Sequence, residues 1–183
     1  MKPIFTIHAG EYLAVDFIQK KFKNVSTWIP TRDTGIDLLV TDRQNRKTCS
    51  LQVKFSRDYL PTHFEPMFRQ QLRACCWWTL NRKKIATSQA DYWVFVLFGF
   101  NSKASDFVVI PPNELLKRLD AIHGNIKTFR HYLWVTNQNE CWETRGLKKS
   151  DHQKVSEGTF DDPNRTFTKW LNNWTPIEKL NRQ

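Results

Sequence analysis

Apolar residues recur along this chain at two spacings, and each change of spacing marks a new element. Over residues 8–22, Ala14, Val15, Ile18 and Phe22 form a stripe at helical spacing, widened by Leu13 and Phe17, with Asp16, Gln19, Lys20 and Lys23 opposite. This predicts an amphipathic helix. Residues 24–31 read as a strand through Val25, Trp28 and Ile29, stopped at Pro30. Residues 36–41 and 48–55 read as a hairpin. In its second arm Leu51, Val53 and Phe55 point one way and Ser50, Gln52 and Lys54 the other, and the linking DRQNRK is polar and turn-forming. Residues 64–80 predict a helix, broken early by Pro66, that buries Phe68, Leu72, Cys75, Cys76 and Trp78. The run DYWVFVLF at 91–98 predicts a strand buried on both faces. Residues 107–110 form a further strand ended by Pro111 and Pro112, and 113–119 a short helix with Asn113 as N-cap. A second hairpin is expected over 129–136 and 140–144, a polar loop over 151–164, and a closing helix over 166–174 with Phe167, Trp170, Leu171 and Trp174 packed inward, ended by the run from Asn172 to Pro176. Antiparallel strands mixed with flanking helices give the α/β class, with α+β as the alternative, around a central mixed sheet.

The first hairpin carries the candidate chemistry. If it is symmetric about Gln44 and Asn45, Asp37 falls opposite Gln52 with Lys54 on the diagonal, about 5 Å and about 7–8 Å away between Cβ atoms. A carboxylate, an amide and an ammonium then share one face. Asp37 and Gln52 offer the oxygen donors that a hard cation such as Mg²⁺ takes. Lys54, protonated, is no ligand; its chemistry is to hold or polarise a water, or to neutralise charge on a phosphate. The same residue types also suit a plainly solvated hairpin face. Glu11 lies on the apolar side of the first helix, where a carboxylate needs a partner. It reads either as a first-turn acid favoured by the helix N-terminus or as a third oxygen ligand facing Asp37. Asp33 reads as a turn-former or as a further acid, and Gly35 as a point where the backbone must bend or approach a ligand closely.

Gly35-Ile36-Asp37, followed about fifteen residues on by Gln52-Val53-Lys54 at the end of an apolar strand, resembles the PD-(D/E)xK nuclease superfamily. That superfamily includes many restriction endonucleases, Holliday-junction resolvases and repair nucleases. The resemblance implies a restriction-endonuclease-like core, α-β-β-β-α-β, over about residues 8–120 of a single domain, with 121–183 as a hairpin and helix extension. It implies Asp37, Gln52 and Lys54 as catalytic residues and Glu11, on the G-E-Y-L-A helix, as an additional one. Glu11, Asp37 and Gln52 would ligate Mg²⁺, for which Mn²⁺ could substitute. It also implies DNA as substrate, with RNA left open, and an endonuclease of restriction or defence type working as a two-fold homodimer. Gln70 lies where some relatives place an extra active-site amide. Ile36 stands where the name-giving proline would be, and Gln52 replaces the second acid, which removes one negative charge from the metal site. The alternatives are therefore a decayed nuclease scaffold that still binds nucleic acid, or a junction or repair nuclease.

Composition bears on the partner. With 183 residues and 40% hydrophobic side chains, the chain suits one domain with a real core. A net charge of +10 and a pI of about 9.6 favour a polyanion. Arg57, Arg69 and Arg73, with Gln70, are the expected nucleic-acid contacts, and Arg82, Lys83 and Lys84 make a basic turn open to phosphate contact or simple solvation. His131, Glu140 and Arg145 on the second hairpin are structural or substrate-facing. Cys49, Cys75, Cys76 and Cys141 lack zinc-site spacing and are expected as reduced thiols. There is no apolar run of membrane-spanning length, and the first dozen residues, interrupted by His8 and Glu11, do not read as a signal peptide. A cytoplasmic protein without membrane contact is expected.

Overall fold

The computed structural model describes residues 8–32, 34–60, 65–99 and 104–182. Asp33 and Phe64 lie outside this set. Two sheets and six helices are described. The first sheet has the order β1-β2-β3-β5-β6, from Val25–Trp28, Leu38–Asp42, Thr48–Arg57, Tyr92–Gly99 and Ala104–Ile110. The second has the order β4-β7-β8, from Leu72–Asn81, Thr128–Thr136 and Cys141–Glu143. The helices are α1 (Ala9–Lys21), α2 (Pro66–Gln71), α3 (Arg82–Ala86), α4 (Pro112–His123), α5 (Lys149–Glu157) and α6 (Thr175–Asn181). This is a mixed α/β architecture. Its central sheet is itself mixed, since β5 runs parallel to β3 and the other pairings are antiparallel.

The β2–β3 register matches the expectation from the sequence. Leu38 pairs with Leu51, Leu39 with Ser50, Val40 with Cys49 and Thr41 with Thr48, so the symmetry point is Gln44–Asn45. The turn is held by Asp42, whose Oδ1 accepts the N–H groups of Arg46 (2.7 Å) and Lys47 (3.3 Å), and Asn45 takes the left-handed conformation that Asn tolerates.

Alternation along the strands divides the apolar residues between two layers. Leu51 and Val53 of β3, Val94 and Val96 of β5, and Phe107 and Val109 of β6 face Ala14, Ile18 and Phe22 of α1 and Ile177 and Leu180 of α6. Trp174 fills the gap between those helices, 5.1 Å from Phe17 and 5.2 Å from Phe107 between ring centroids. On the opposite face Trp93, Phe95, Leu97, Val108 and Ile110 meet the second sheet and α4. Each such side chain removed from water contributes roughly 1.5–3 kcal/mol. Phe129, Leu133, Val135, Cys141, Phe167 and Trp170 belong to this second layer, so residues beyond 120 build the main core.

Several elements differ from the sequence reading. The helix expected over 64–80 is confined to α2, and Leu72–Asn81 is strand β4, paired with β7 along its length. Its run of Ala, Cys, Trp and Leu fits a period of two as well as a helical stripe. The Cys, Trp and Thr residues favour the pleated alternative once a partner strand is present. The helix expected at 113–119 runs further, with Pro111 at the N-cap, while Asn113 Oδ1 accepts only the N–H of Glu114 (2.9 Å). The loop expected at 151–164 contains α5, a polar helix that buries only Val155 and Ser156 and ends at Gly158 in the left-handed conformation. The closing helix expected at 166–174 is a short 3₁₀ turn, Thr168–Trp170, followed by α6. Pro176, read as a stop, sits in the first turn of α6, where its missing N–H costs nothing. Among the described residues no helix is long and apolar enough to cross a membrane.

Candidate active site

β2 stops pairing with β3 at Leu38–Leu51, and β3 continues alone on that edge. Asp37 continues the ladder there by other means. Its N–H donates to Leu51 O (2.8 Å), and its carboxylate Oδ2 accepts the Val53 N–H (2.7 Å) and the Gln52 Nε2–H. Gly35, at φ +84°, turns the chain into this position, and a methyl group placed on it would stand 3.7 Å from Gln52 Oε1. Gln52 is buried and Asp37 half-buried.

α1 reaches the same place from the opposite layer. A methyl group on Gly10 would stand 2.6 Å from Phe55 Cβ, so the first turn of the helix rests directly on β3. This contact carries the neighbouring Glu11 to the strand. Glu11 Oε2 accepts the His8 N–H at the helix start (3.2 Å), as the first-turn reading required. Burial raises its carboxyl above the ordinary range and the Asp37 charge adds to the rise, while the His8 N–H and the charges of His8 and Lys54 oppose it. Glu11 thus caps the helix as the first-turn reading has it, and it lies within range of the Asp37 charge.

Lys54 stands two residues beyond Gln52 on the same strand face, with Nζ 5.5 Å from the centroid of the Trp93 ring. Trp93 pairs with Gln52 across the parallel β3–β5 ladder, and its indole N–H donates to Ser88 Oγ (2.9 Å). The ladder is anchored at its start by Asp91, whose Oδ2 accepts both N–H and Oγ–H of Ser50 at 2.7 Å.

Glu11, Asp37, Gln52 and Lys54 line one cleft of about 880 Å³. Its far wall holds Trp78, Lys84 of α3 and the segment after that helix, with Thr87, Ser88 and Gln89. The cleft therefore presents two carboxylates, two amides and two ammonium groups among the described residues. Among the described residues no three His, Cys, Asp or Glu side chains gather as a metal site. The oxygen donors for a hard cation are instead two carboxylates and one amide. Burial, and after it the Asp37 charge, disfavours ionisation of Glu11, and a positive ion between the two carboxylates would offset that repulsion.

The expected nucleic-acid contacts do not gather at this cleft. Arg57 ends β3, exposed, and Arg69 and Gln70 are exposed on α2; none lines the cleft. Gln70 instead offers its carbonyl to Asn137 Nδ2 (2.5 Å). Arg73 is bound to Asp106 through Nε (3.1 Å) and Nη2 (2.8 Å) and to Asn139 through Nη1 (2.5 Å), which ties β4 to β6. Of the basic turn, Lys84 alone lines the cleft, and Arg82 is held by Asp120 (2.7 Å and 3.0 Å). His131 is enclosed by Trp78, Phe95 and Phe167, and burial pushes its ring down to about 3, so it is a neutral core residue. Trp93 and Ser88, which support Lys54, were not legible as site residues. Their signal is the β3–β5 register, which no local pattern in the sequence carries.

Comparison of the chain with protein-family models, curated proteins and solved structures gave no significant match.

Proposed function

We propose that this chain is a metal-dependent nuclease that hydrolyses phosphodiester bonds of DNA on a restriction-endonuclease-like fold. One observation carries the reading. Glu11, Asp37, Gln52 and Lys54 come from α1, the segment before β2 and β3, and all line one cleft. The residue pattern resembling the PD-(D/E)xK superfamily is independent support.

Glu11, Asp37 and Gln52 would hold a divalent cation, which when bound supplies Lewis-acid stabilisation of the phosphate and a more acidic water. The remaining work falls to the chain. Asp37 is fixed by the Val53 and Gln52 N–H groups, so its carboxylate needs little reorganisation. Lys54, braced against Trp93, orients the attacking water and offsets negative charge on the phosphoryl oxygens. The water oxygen bonds to phosphorus as the bond to the leaving oxygen breaks on the opposite side. Lys84 on the far wall contacts a neighbouring phosphate.

A second reading has its own observation. Gln52 donates its amide N–H to Asp37, and among the described residues two carboxylates line the cleft, an arrangement that also suits a nucleic-acid-binding scaffold without catalysis. Cleavage of supercoiled plasmid in Mg²⁺ or Mn²⁺ separates the two. The nuclease reading expects nicking or linearisation by the wild type, and loss of at least about a hundredfold in Asp37→Ala and Lys54→Ala. Lys54→Ala should keep DNA affinity within a few-fold, because one charge is a small part of a +10 surface. DNA binding without cleavage at either metal supports the second reading.

A further inference from the structure

The outer face of the β4-β7-β8 sheet is only partly covered. Phe68 of α2 and Val155 of α5 lie over Cys75, Trp134 and Trp142. The next row is open. Trp77 of β4 is 46% exposed and stacks on its cross-strand partner Tyr132, with centroids 5.9 Å apart and planes 18° from parallel. The Arg145 guanidinium stands over the Tyr132 ring at 5.5 Å, and Tyr59 meets that ring edge-on at 6.2 Å. The stack is therefore fixed from several sides while its Trp77 end meets solvent. Arg130, one row further on β7, is exposed, as is Arg57.

This row adjoins the cleft. The Trp77 N–H donates to Ser56 Oγ (3.3 Å), and Ser56 is two residues past Lys54 on β3, roughly 7 Å along the strand. β4 is thus the lip of the cleft: Trp78 lines it, and Trp77 faces outward. A rigid aromatic pair with Arg145 over one ring and Arg130 one row further has the composition that binds unpaired nucleotides, with aromatic faces for the bases and guanidinium groups for the phosphates. Duplex bases, already stacked on one another, cannot use such a face.

We propose that Trp77, Tyr132 and Arg145 form a stacking site for an unpaired nucleobase, so that the nucleic acid reaching the adjacent cleft is single-stranded or carries unpaired nucleotides. This rests on the nucleic-acid reading given under Proposed function and names the substrate class. The test is fluorescence anisotropy of the full chain with labelled oligothymidylate and with a duplex of equal length, in EDTA so that no cleavage intervenes. Trp77→Ala should weaken oligothymidylate binding about tenfold or more and duplex binding less than about twofold. Trp77→Phe should recover most of the loss, and Arg145→Ala should fall between. Trp77→Thr, a good strand former, carries the test should the alanine variant fold poorly.

Unchanged single-strand affinity in Trp77→Ala, equal losses on both ligands, or no single-strand binding by the wild type would each overturn the proposal. So would sedimentation showing a wild-type dimer that Trp77→Ala converts to monomer with DNA affinity intact, since the face would then belong to a second copy. An inactive wild type that still binds oligothymidylate through Trp77 keeps this inference and removes the nuclease. Plasmid cleavage with no Trp77 effect does the reverse.

Discussion

Gln52 does for Asp37 what a second carboxylate at that position could not: it donates a hydrogen bond to it. Gln52→Glu would set two acids against each other at hydrogen-bonding distance, and one would be held protonated or repelled. In EDTA this variant should melt several degrees below the wild type, from loss of about 1–3 kcal/mol at a buried position. Added Mg²⁺ should raise its Tm by more than it raises the wild type's. Equal metal-induced shifts would remove position 52 from the ligand set. Glu11 makes a pH prediction. Burial, and after it the Asp37 charge, raise its carboxyl above the ordinary range, so the folded state holds that proton more tightly than the unfolded chain does. The stability this contributes is complete below the unfolded value, about 4.3, and is lost as pH rises through the folded value. Without metal, the wild type should lose Tm relative to Glu11→Gln from acid to neutral pH; a constant difference would contradict the assignment. Gln52 and Lys54 were legible from strand alternation and Asp37 from the symmetry of the hairpin, while Glu11 stood out as a carboxylate on the apolar side of α1. Arg69 and Gln70 lie exposed on α2 away from the cleft, and Arg73 spends its guanidinium on Asp106 and Asn139, because a basic or amide side chain in sequence says nothing about its partner.

At the scale of elements, the site depends on how closely α1 approaches β3. Gly10→Ala would drive a methyl group into Phe55 Cβ, and backbone must move to admit it. A loss of about 1–3 kcal/mol is expected, measured by urea unfolding. Below the variant's Tm, plasmid cleavage should fall by more than tenfold, because Glu11 moves with the helix. Wild-type turnover in Gly10→Ala would separate α1 from the chemistry. The same scale shows where the sequence was readable. The β2–β3 register followed from a polar turn between alternating arms, and β5 from an apolar run too short and β-rich for a helix. β4 was misread because Leu72 to Leu80 is apolar enough to satisfy either period, and only its pairing with β7, 47 to 64 residues away, decides between them. α5 was missed because it buries almost nothing, so it carries no stripe. α6 was misread because a proline that ends one helix can equally begin another.

For the molecule as a whole, charge works at two ranges. The net +10 draws a polyanion toward the surface, while in the cleft the carboxylates of Glu11 and Asp37 offset the charges of Lys54 and Lys84. On the reading given under Proposed function, a divalent cation between those carboxylates would turn the local field to match the global one. The parallel β3–β5 pair, the helix resting on β3 and the second sheet behind it all serve to hold Asp37, Gln52 and Lys54 on one wall and Glu11 beside them. The most direct test is anomalous diffraction from crystals soaked in Mn²⁺. The account predicts a peak within bonding distance of the Glu11 and Asp37 carboxylates and the Gln52 amide oxygen, lost in Asp37→Ala. A well-diffracting soak with no peak there, or with the metal bound only elsewhere on the surface, would contradict it.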